Sequence, residues 1–336
     1  MTMVEDGTAD ASLPAAPGHN MPARNPGIPF DQGWVESIRV NLSAVERRVA
    51  TLPRRRTVKK AWQAAWLLKA VTCIDLTTLS GDDTPGRVRR LCAKARHPVR
   101  SDLLEALGFG KRPLHVGAVC VYHEMVPTAV AALEGSGIPV AAVSTGFPAG
   151  LSPFRLRVAE IGESVAAGAR EIDIVISRRH VLTDNWQALY DEVRAFREAC
   201  GEAHLKAILA TGELGSISKV AKAASVAMMA GADFVKTSTG MEKVNATLPV
   251  SLVMLRTVRD YYDRTGHKVG FKPAGGISKA KDALAYLILV KEEMGDDWLS
   301  PALFRFGASR LLGDIERQLE HHVTGRYSAL NRHPMG

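Results

Sequence analysis

Cysteine is scarce in this chain of 336 residues and has no useful spacing. The four present, Cys73, Cys92, Cys120 and Cys200, form no CxxC pair, which argues against zinc and against a disulfide-stapled fold and suits a reducing cytoplasm. No run approaches the roughly 18 uninterrupted apolar residues of a membrane span, so no membrane partner is expected. The N-terminus lacks a basic segment followed by an apolar core, so no secretory signal is expected either. Aromatic residues are only 6% of the chain. None is interleaved with the basic runs Arg54-Arg55-Arg56, Lys59-Lys60 and Arg87–Arg100, so stacking on nucleic-acid bases is not expected. Thr72–Asp82 carries no glycine-rich dinucleotide fingerprint. His123, His321 and His322 have no ligand partners at metal spacing.

What remains is the profile of a soluble globular protein, 46% apolar and 23% charged. The formal charge of +8 favours anionic partners, small phosphates included. The length fits two average domains or one large α/β barrel of about 250 residues.

Residues 1–31 are rich in Pro, Ala, Gly and Asn, lack apolar periodicity, and read as a flexible tail. Residues 32–69 read as a helical segment, with Leu42, Val45, Val49 and Leu52 at helical spacing and a break at Pro53. Over 70–325 the pattern changes to short apolar runs alternating with amphipathic helices, and 326–336 read as a C-terminal tail. The runs are Val71–Leu76, His115–Val121, Val140–Val143, Glu171–Ile176, Leu205–Leu209, Phe234–Lys236, Val269–Lys272 and Leu303–Phe306. Each is too apolar to be half exposed, as expected of parallel strands buried on both faces. Ser152-Pro153 reads as an N-cap and first-turn proline, and Gly168 and Gly201 as helix stops. Eight strand–helix repeats most economically close into a (β/α)8 TIM barrel. A doubly wound open sheet is the alternative.

Three lysines then stand out because each follows an apolar strand, where an ammonium is disfavoured unless paired or used as a neutral amine. They are Lys206 in HLKAILATGEL, Lys236 in FVKTSTG and Lys272 in VGFKPAGGI. Aimed at one cavity, they are expected to depress one another's pKa and so make an amine nucleophilic. The first strand ends in Asp75 and Thr77, the second near Cys120, and the fourth contains Asp173. The carboxylates can relay protons or simply neutralise lysines. Cys120 has no histidine placed as its base and reads as packing. An acid pair and a lysine trio in one barrel mouth suit Schiff-base chemistry on a phosphorylated carbonyl compound, with no metal or organic cofactor.

The segments CIDLTTL, GAVCVY, EIDIVIS, LKAILATGEL, FVKTSTG, VNAT, GFKPAGGI and FRFGAS, in order from about Lys69 to Ser309, closely resemble the deoxyribose-phosphate aldolases. These are class I aldolases on a TIM barrel. IERQLEHHVTGRY and the helix TDNWQALYDEVRAFREACGEAHLK are similar to the longer, eukaryotic-type branch. The resemblance implies reversible cleavage of 2-deoxy-D-ribose 5-phosphate to D-glyceraldehyde 3-phosphate and acetaldehyde. It assigns the Schiff base to Lys236 and the proton relay to Asp173 and Lys272, with Asp75, Thr77 and Lys206 as further site positions. It builds a phosphate pocket from Thr239, Gly240, Gly275, Gly276 and Ser309, where a helix N-terminus favours an anion.

The chain departs from the family pattern at two pocket positions. Met241 stands where many relatives have a lysine, and Arg310 follows GAS where many have serine or threonine. Arg310 either replaces the missing cation or pairs with Asp314 at i+4. Many bacterial members end in a tyrosine that reaches the site, and Tyr327 is the nearest candidate here. The alternatives are a Schiff-base aldolase of the same fold for another aldehyde pair, or a degenerate barrel serving as a basic binding module. A homodimer is compatible with the sequence, which does not fix the oligomeric state.

Overall fold

Eight apolar runs become eight parallel strands in a computed structural model that describes residues 23–110, 112–329 and 331–333. The elements run α1 (Gln32–Ser37), α2 (Leu42–Arg55), α3 (Lys60–Thr72), β1 (Ile74–Thr77), α4 (Pro85–Arg96), α5 (Ser101–Ala106) and β2 (Ala118–Tyr122). They continue as α6 (Val126–Leu133), β3 (Val140–Ser144), α7 (Phe154–Ala166), β4 (Glu171–Val175), α8 (Arg178–Leu182), α9 (Trp186–Ala199) and β5 (His204–Ile208). The last are α10 (Ile217–Met229), β6 (Phe234–Lys236), α11 (Leu248–Thr265), β7 (Gly270–Lys272), α12 (Ala280–Met294), β8 (Phe306–Ala308) and α13 (Leu311–Thr324).

Pairing follows β7-β6-β5-β4-β3-β2-β1-β8. Parallel bridges Phe271↔Phe304 and Ala274↔Gly307 join β7 to the β8 segment and complete the ring. This is the (β/α)8 barrel, with helices on the outside and the strands buried on both faces.

Several boundaries move for physical reasons. Val71 and Thr72 belong to α3: the helix's apolar face, with Leu67, Leu68 and Val71 at helical spacing, runs into the apolar strand without a break. The second strand starts three residues later than the apolar run suggests. Gly117 before it passes so close to Arg305 that an added Cβ would lie 3.1 Å from that side chain. Pro53 does not break its helix. It lies inside α2, and the chain leaves the helix only after Arg55, with the Arg56 N–H still bonded to the Leu52 carbonyl. Proline removes one bond to Val49 near the helix end, which the last turn tolerates. Pro153, not Ser152, is the cap residue of α7, and it offers no side-chain hydrogen bond.

The first part of the expected tail, residues 1–22, lies outside the described residues, but the stretch from Arg24 to Phe30 is tied to the barrel. Asn25 is buried, donates to the carbonyls of Met228 (2.8 Å) and Ala232 (3.0 Å), and accepts from the Tyr261 hydroxyl (3.0 Å). Its backbone N–H donates to Asp233 at 2.7 Å. A polar, proline-rich stretch gives no periodic signal, yet one asparagine with its hydrogen-bonding capacity filled anchors it. At the other end, His333 of the expected C-terminal tail packs against Glu320 at 2.6 Å.

Candidate active site

Strand register assembles the site. Side chains alternate faces along a strand, so Glu171 and Asp173 share one face of β4, and Asp75 and Thr77 share one face of β1. Asp173 pairs in register with Lys206, and Lys236 with Lys272. Gly270, two residues before Lys272, has no Cβ because one would sit 2.3 Å from the Phe234 ring packed beside it.

These positions converge on Asp173. Its Oδ2 accepts from Lys236 Nζ and from Lys272 Nζ, both at 2.7 Å, and its Oδ1 accepts from Lys206 Nζ at 2.9 Å. Lys272 also donates to Asp75, and Lys206 to Glu171 at 2.5 Å. Beneath them the Arg305 guanidinium bridges Asp75 Oδ1 (2.5 Å) and Glu171 Oε1 (2.8 Å). Every member is buried, and Lys236, at 3% exposure, is the most accessible of them.

The expectation that the lysines lower one another's pKa holds for one of the three. Burial, and after it the neighbouring Lys272, push Lys236 below its ordinary value against the pull of Asp173. Burial alone would also lower Lys206 and Lys272. Asp173 with Glu171 holds Lys206 above its ordinary value, and Asp173 with Asp75 does the same for Lys272. In the resting site these two lysines are therefore held in the ammonium form. Burial would raise Asp173, but the three lysines hold it well below the usual carboxylate range.

Of the three lysines, Lys236 lines the cavity at the strand ends, a space of about 660 Å³. Thr77, Thr239, Gly240, Met241, Gly275, Gly276, Ser309 and Arg310 line the same space. Asp75, Asp173, Lys206, Lys272 and Cys120 lie below it without exposed surface. Cys120 joins an apolar cluster inside the barrel with Ala141, Val143, Phe147, Val175 and Ile208. Burial raises its thiol pKa, so it is packing rather than a thiolate.

The pocket lip differs from expectation in one respect. The backbone N–H groups of Thr239 (3.0 Å) and Gly240 (3.1 Å) donate to the buried Glu242 carboxylate. Gly275 adopts φ +80°, and a Cβ there would strike Asn245 at 2.6 Å, so glycine is required for the turn. Arg310 does not pair with Asp314, whose carboxylate accepts from the Ala280 N–H (2.7 Å) and from Arg317 (3.3 Å). Tyr327 is exposed and stacks on His321 at the far end of α13, outside the cavity lining.

Two members of the cluster were not singled out in the sequence, Glu171 and Arg305. The signal for Glu171 is its two-residue spacing from Asp173 in an otherwise apolar strand. Arg305 is signalled by its place between Phe304 and Phe306, where an unpaired guanidinium would not be buried.

A parallel barrel with a lysine lining the cavity at its carboxyl mouth has the architecture and the amine that a Schiff-base aldolase needs. Residues 69–309 match the DeoC/LacD family aldolases, and the chain belongs to that family. It is 61% identical to the deoxyribose-phosphate aldolase of Homo sapiens over 317 residues, covering 94% of this chain and 100% of the relative. The deoxyribose-phosphate aldolase of Mus musculus is also 61% identical over the same coverage. In fold, the chain resembles the crystal structure of a putative deoxyribose-phosphate aldolase from Toxoplasma gondii ME49. The TM-score is 0.67 and the identity 22%, over 79% of this chain and 97% of that one.

Proposed function

We propose that this enzyme reversibly cleaves 2-deoxy-D-ribose 5-phosphate to D-glyceraldehyde 3-phosphate and acetaldehyde through a Schiff base on Lys236. The observation that carries this is Lys236 itself. It is the lysine of the trio that faces the cavity, it has the lowered pKa, and it is hydrogen-bonded to a carboxylate shared with Lys272.

In the neutral form, Lys236 attacks C1 of the open-chain aldehyde. The carbinolamine loses water to give a protonated imine. Asp173 and Lys272 are the relay for these protons, because both lie within one hydrogen bond of each other and Asp173 reaches Lys236. Removal of the C3 hydroxyl proton lets the C2–C3 electron pair move into the iminium, which leaves a two-carbon enamine on Lys236 and releases D-glyceraldehyde 3-phosphate, its carbonyl formed from C3. Protonation of the enamine carbon and hydrolysis then release acetaldehyde and restore the amine. The iminium is the electron sink.

The phosphate sits, in this reading, against the lip formed by Gly275, Gly276, Ser309 and Arg310, at the N-terminus of α13. Thr239 and Gly240 contribute the opposite wall. The four free, buried cysteines fit a cytosolic enzyme. The test is cleavage of deoxyribose 5-phosphate run beside unphosphorylated deoxyribose. Aldehyde release from the phosphorylated sugar, with a clear preference for it, is expected. No release from either sugar would overturn the assignment.

A further inference from the structure

The charge inventory of the barrel interior does not balance if every group is ionised. Three carboxylates, Asp75, Glu171 and Asp173, face four bases, Lys206, Lys236, Lys272 and Arg305. All seven are buried. An unmatched charge there is strongly disfavoured, so the stable state has one base without its proton. Arg305 cannot supply it, because a guanidinium does not deprotonate in proteins. Lys206 contacts Asp75, Glu171 and Asp173, and Lys272 contacts Asp75 and Asp173. Lys236 contacts only Asp173, through an oxygen already shared with Lys272. Lys236 is therefore the base that gives way.

We infer that Arg305 and Glu171, which touch no part of the cavity, set the protonation of Lys236 by fixing this charge balance. They are positioning residues for the Schiff-base reading above and rest on it. Arg305 faces Asp75 and Glu171, with the Cys73 thiol nearby. Lys236 faces Asp173, Lys272 and the Cys120 thiol. Neither thiol enters the count, since burial pushes Cys73 up to about 11 and raises Cys120 as well. Removing the cation Arg305 leaves three bases and three acids, so Lys236 keeps its proton. Removing the charge of Glu171 increases the cationic excess, so Lys236 loses its proton more readily. Removing both restores an excess of one.

The experiment measures, on the full chain, the initial rate at which acetaldehyde and cyanoborohydride put a two-carbon adduct on Lys236. It is read by peptide mass spectrometry across about pH 5 to 10. Relative to the wild type, Arg305→Met should raise the midpoint by about one pH unit, and Glu171→Gln should lower it. The double variant Arg305→Met/Glu171→Gln should return toward the wild-type midpoint, and Arg305→Lys should keep it. If Arg305→Met does not fold, the downward shift of Glu171→Gln and the return in the double variant carry the test. Midpoints that stay fixed, or that move in the same direction in both single variants, would overturn the inference. A wild-type chain that forms no adduct on Lys236 would instead overturn the Schiff-base reading beneath it.

Discussion

Lys236 and Lys272 donate to the same oxygen, Oδ2 of Asp173, each at 2.7 Å. One carboxylate oxygen thus links the amine at the cavity to a buried ammonium. A proton leaving Lys236 has an acceptor in contact, and a proton needed at the imine has a donor one hydrogen bond further on. Asp173→Asn keeps the shape but cannot relay, and it leaves three lysines facing an amide. We expect kcat to fall by about 10² to 10⁴. Steady-state kinetics with less than a tenfold loss would remove Asp173 from the relay.

The same carboxylates govern stability in acid. Burial alone would raise Asp75, Glu171 and Asp173, but the lysines and Arg305 hold all three below their ordinary values of 3.8, 4.5 and 3.8. A depressed folded-state pKa contributes stability that is fully present above the unfolded value and is lost as pH falls through the folded one. The melting temperature should therefore be insensitive to these groups at neutral pH and drop steeply below about pH 4.5. A Tm that stays level down to about pH 3 would show that the cluster contributes little.

Arg310 lines the cavity at the start of α13 and makes no pair with Asp314. A guanidinium there can hold a phosphate dianion by a bidentate contact. Arg310→Ser should raise KM for the phosphorylated sugar about tenfold and barely change the kinetics of unphosphorylated deoxyribose. Equal effects on the two substrates would place the Arg310 side chain in solvent.

Arg178, the first residue of α8, joins four of the loops around the mouth. It donates to the carbonyls of Ala149 (2.7 Å) and Pro148 (3.2 Å) after β3 and pairs with Glu213 (2.7 Å) after β5. It also lies 4.0 Å from Glu242, whose carboxylate holds the turn following Lys236. Two of these loops contain non-glycine residues in the left-handed region, Thr145 (φ 65°) and Ala210 (φ 55°), a strain that persists only where surrounding contacts enforce it. Arg178→Met should lower kcat/KM by about ten- to a hundredfold through misplacement of the mouth. Wild-type kinetics in that variant would show that the loops hold themselves.

The barrel was legible in the sequence because parallel strands buried on both faces leave short apolar runs between helices with clear stops, such as Gly201 after α9 and Gly266 after α11. The edges were less so. Val71 reads equally well as strand or helix, and the anchoring of Asn25 depends on Met228, Ala232 and Tyr261, about two hundred residues away. In the site, Lys236, Lys272, Lys206 and Asp173 announce themselves as charges at the ends of apolar strands. Their protonation did not follow from their number. Lysine trios repel only when their carboxylates are too few, and the count required Glu171 and Arg305, whose inward direction is fixed by register.

The central claim is that Lys236 is the nucleophile, and reductive trapping tests it most directly. Acetaldehyde with borohydride converts an imine to a stable secondary amine, and peptide mass spectrometry locates the added two-carbon unit. The account predicts that it lies on Lys236, within FVKTSTG, and that Lys236→Leu abolishes both adduct and turnover while the chain still folds. An adduct on Lys206 or Lys272 with Lys236 unmodified would contradict it.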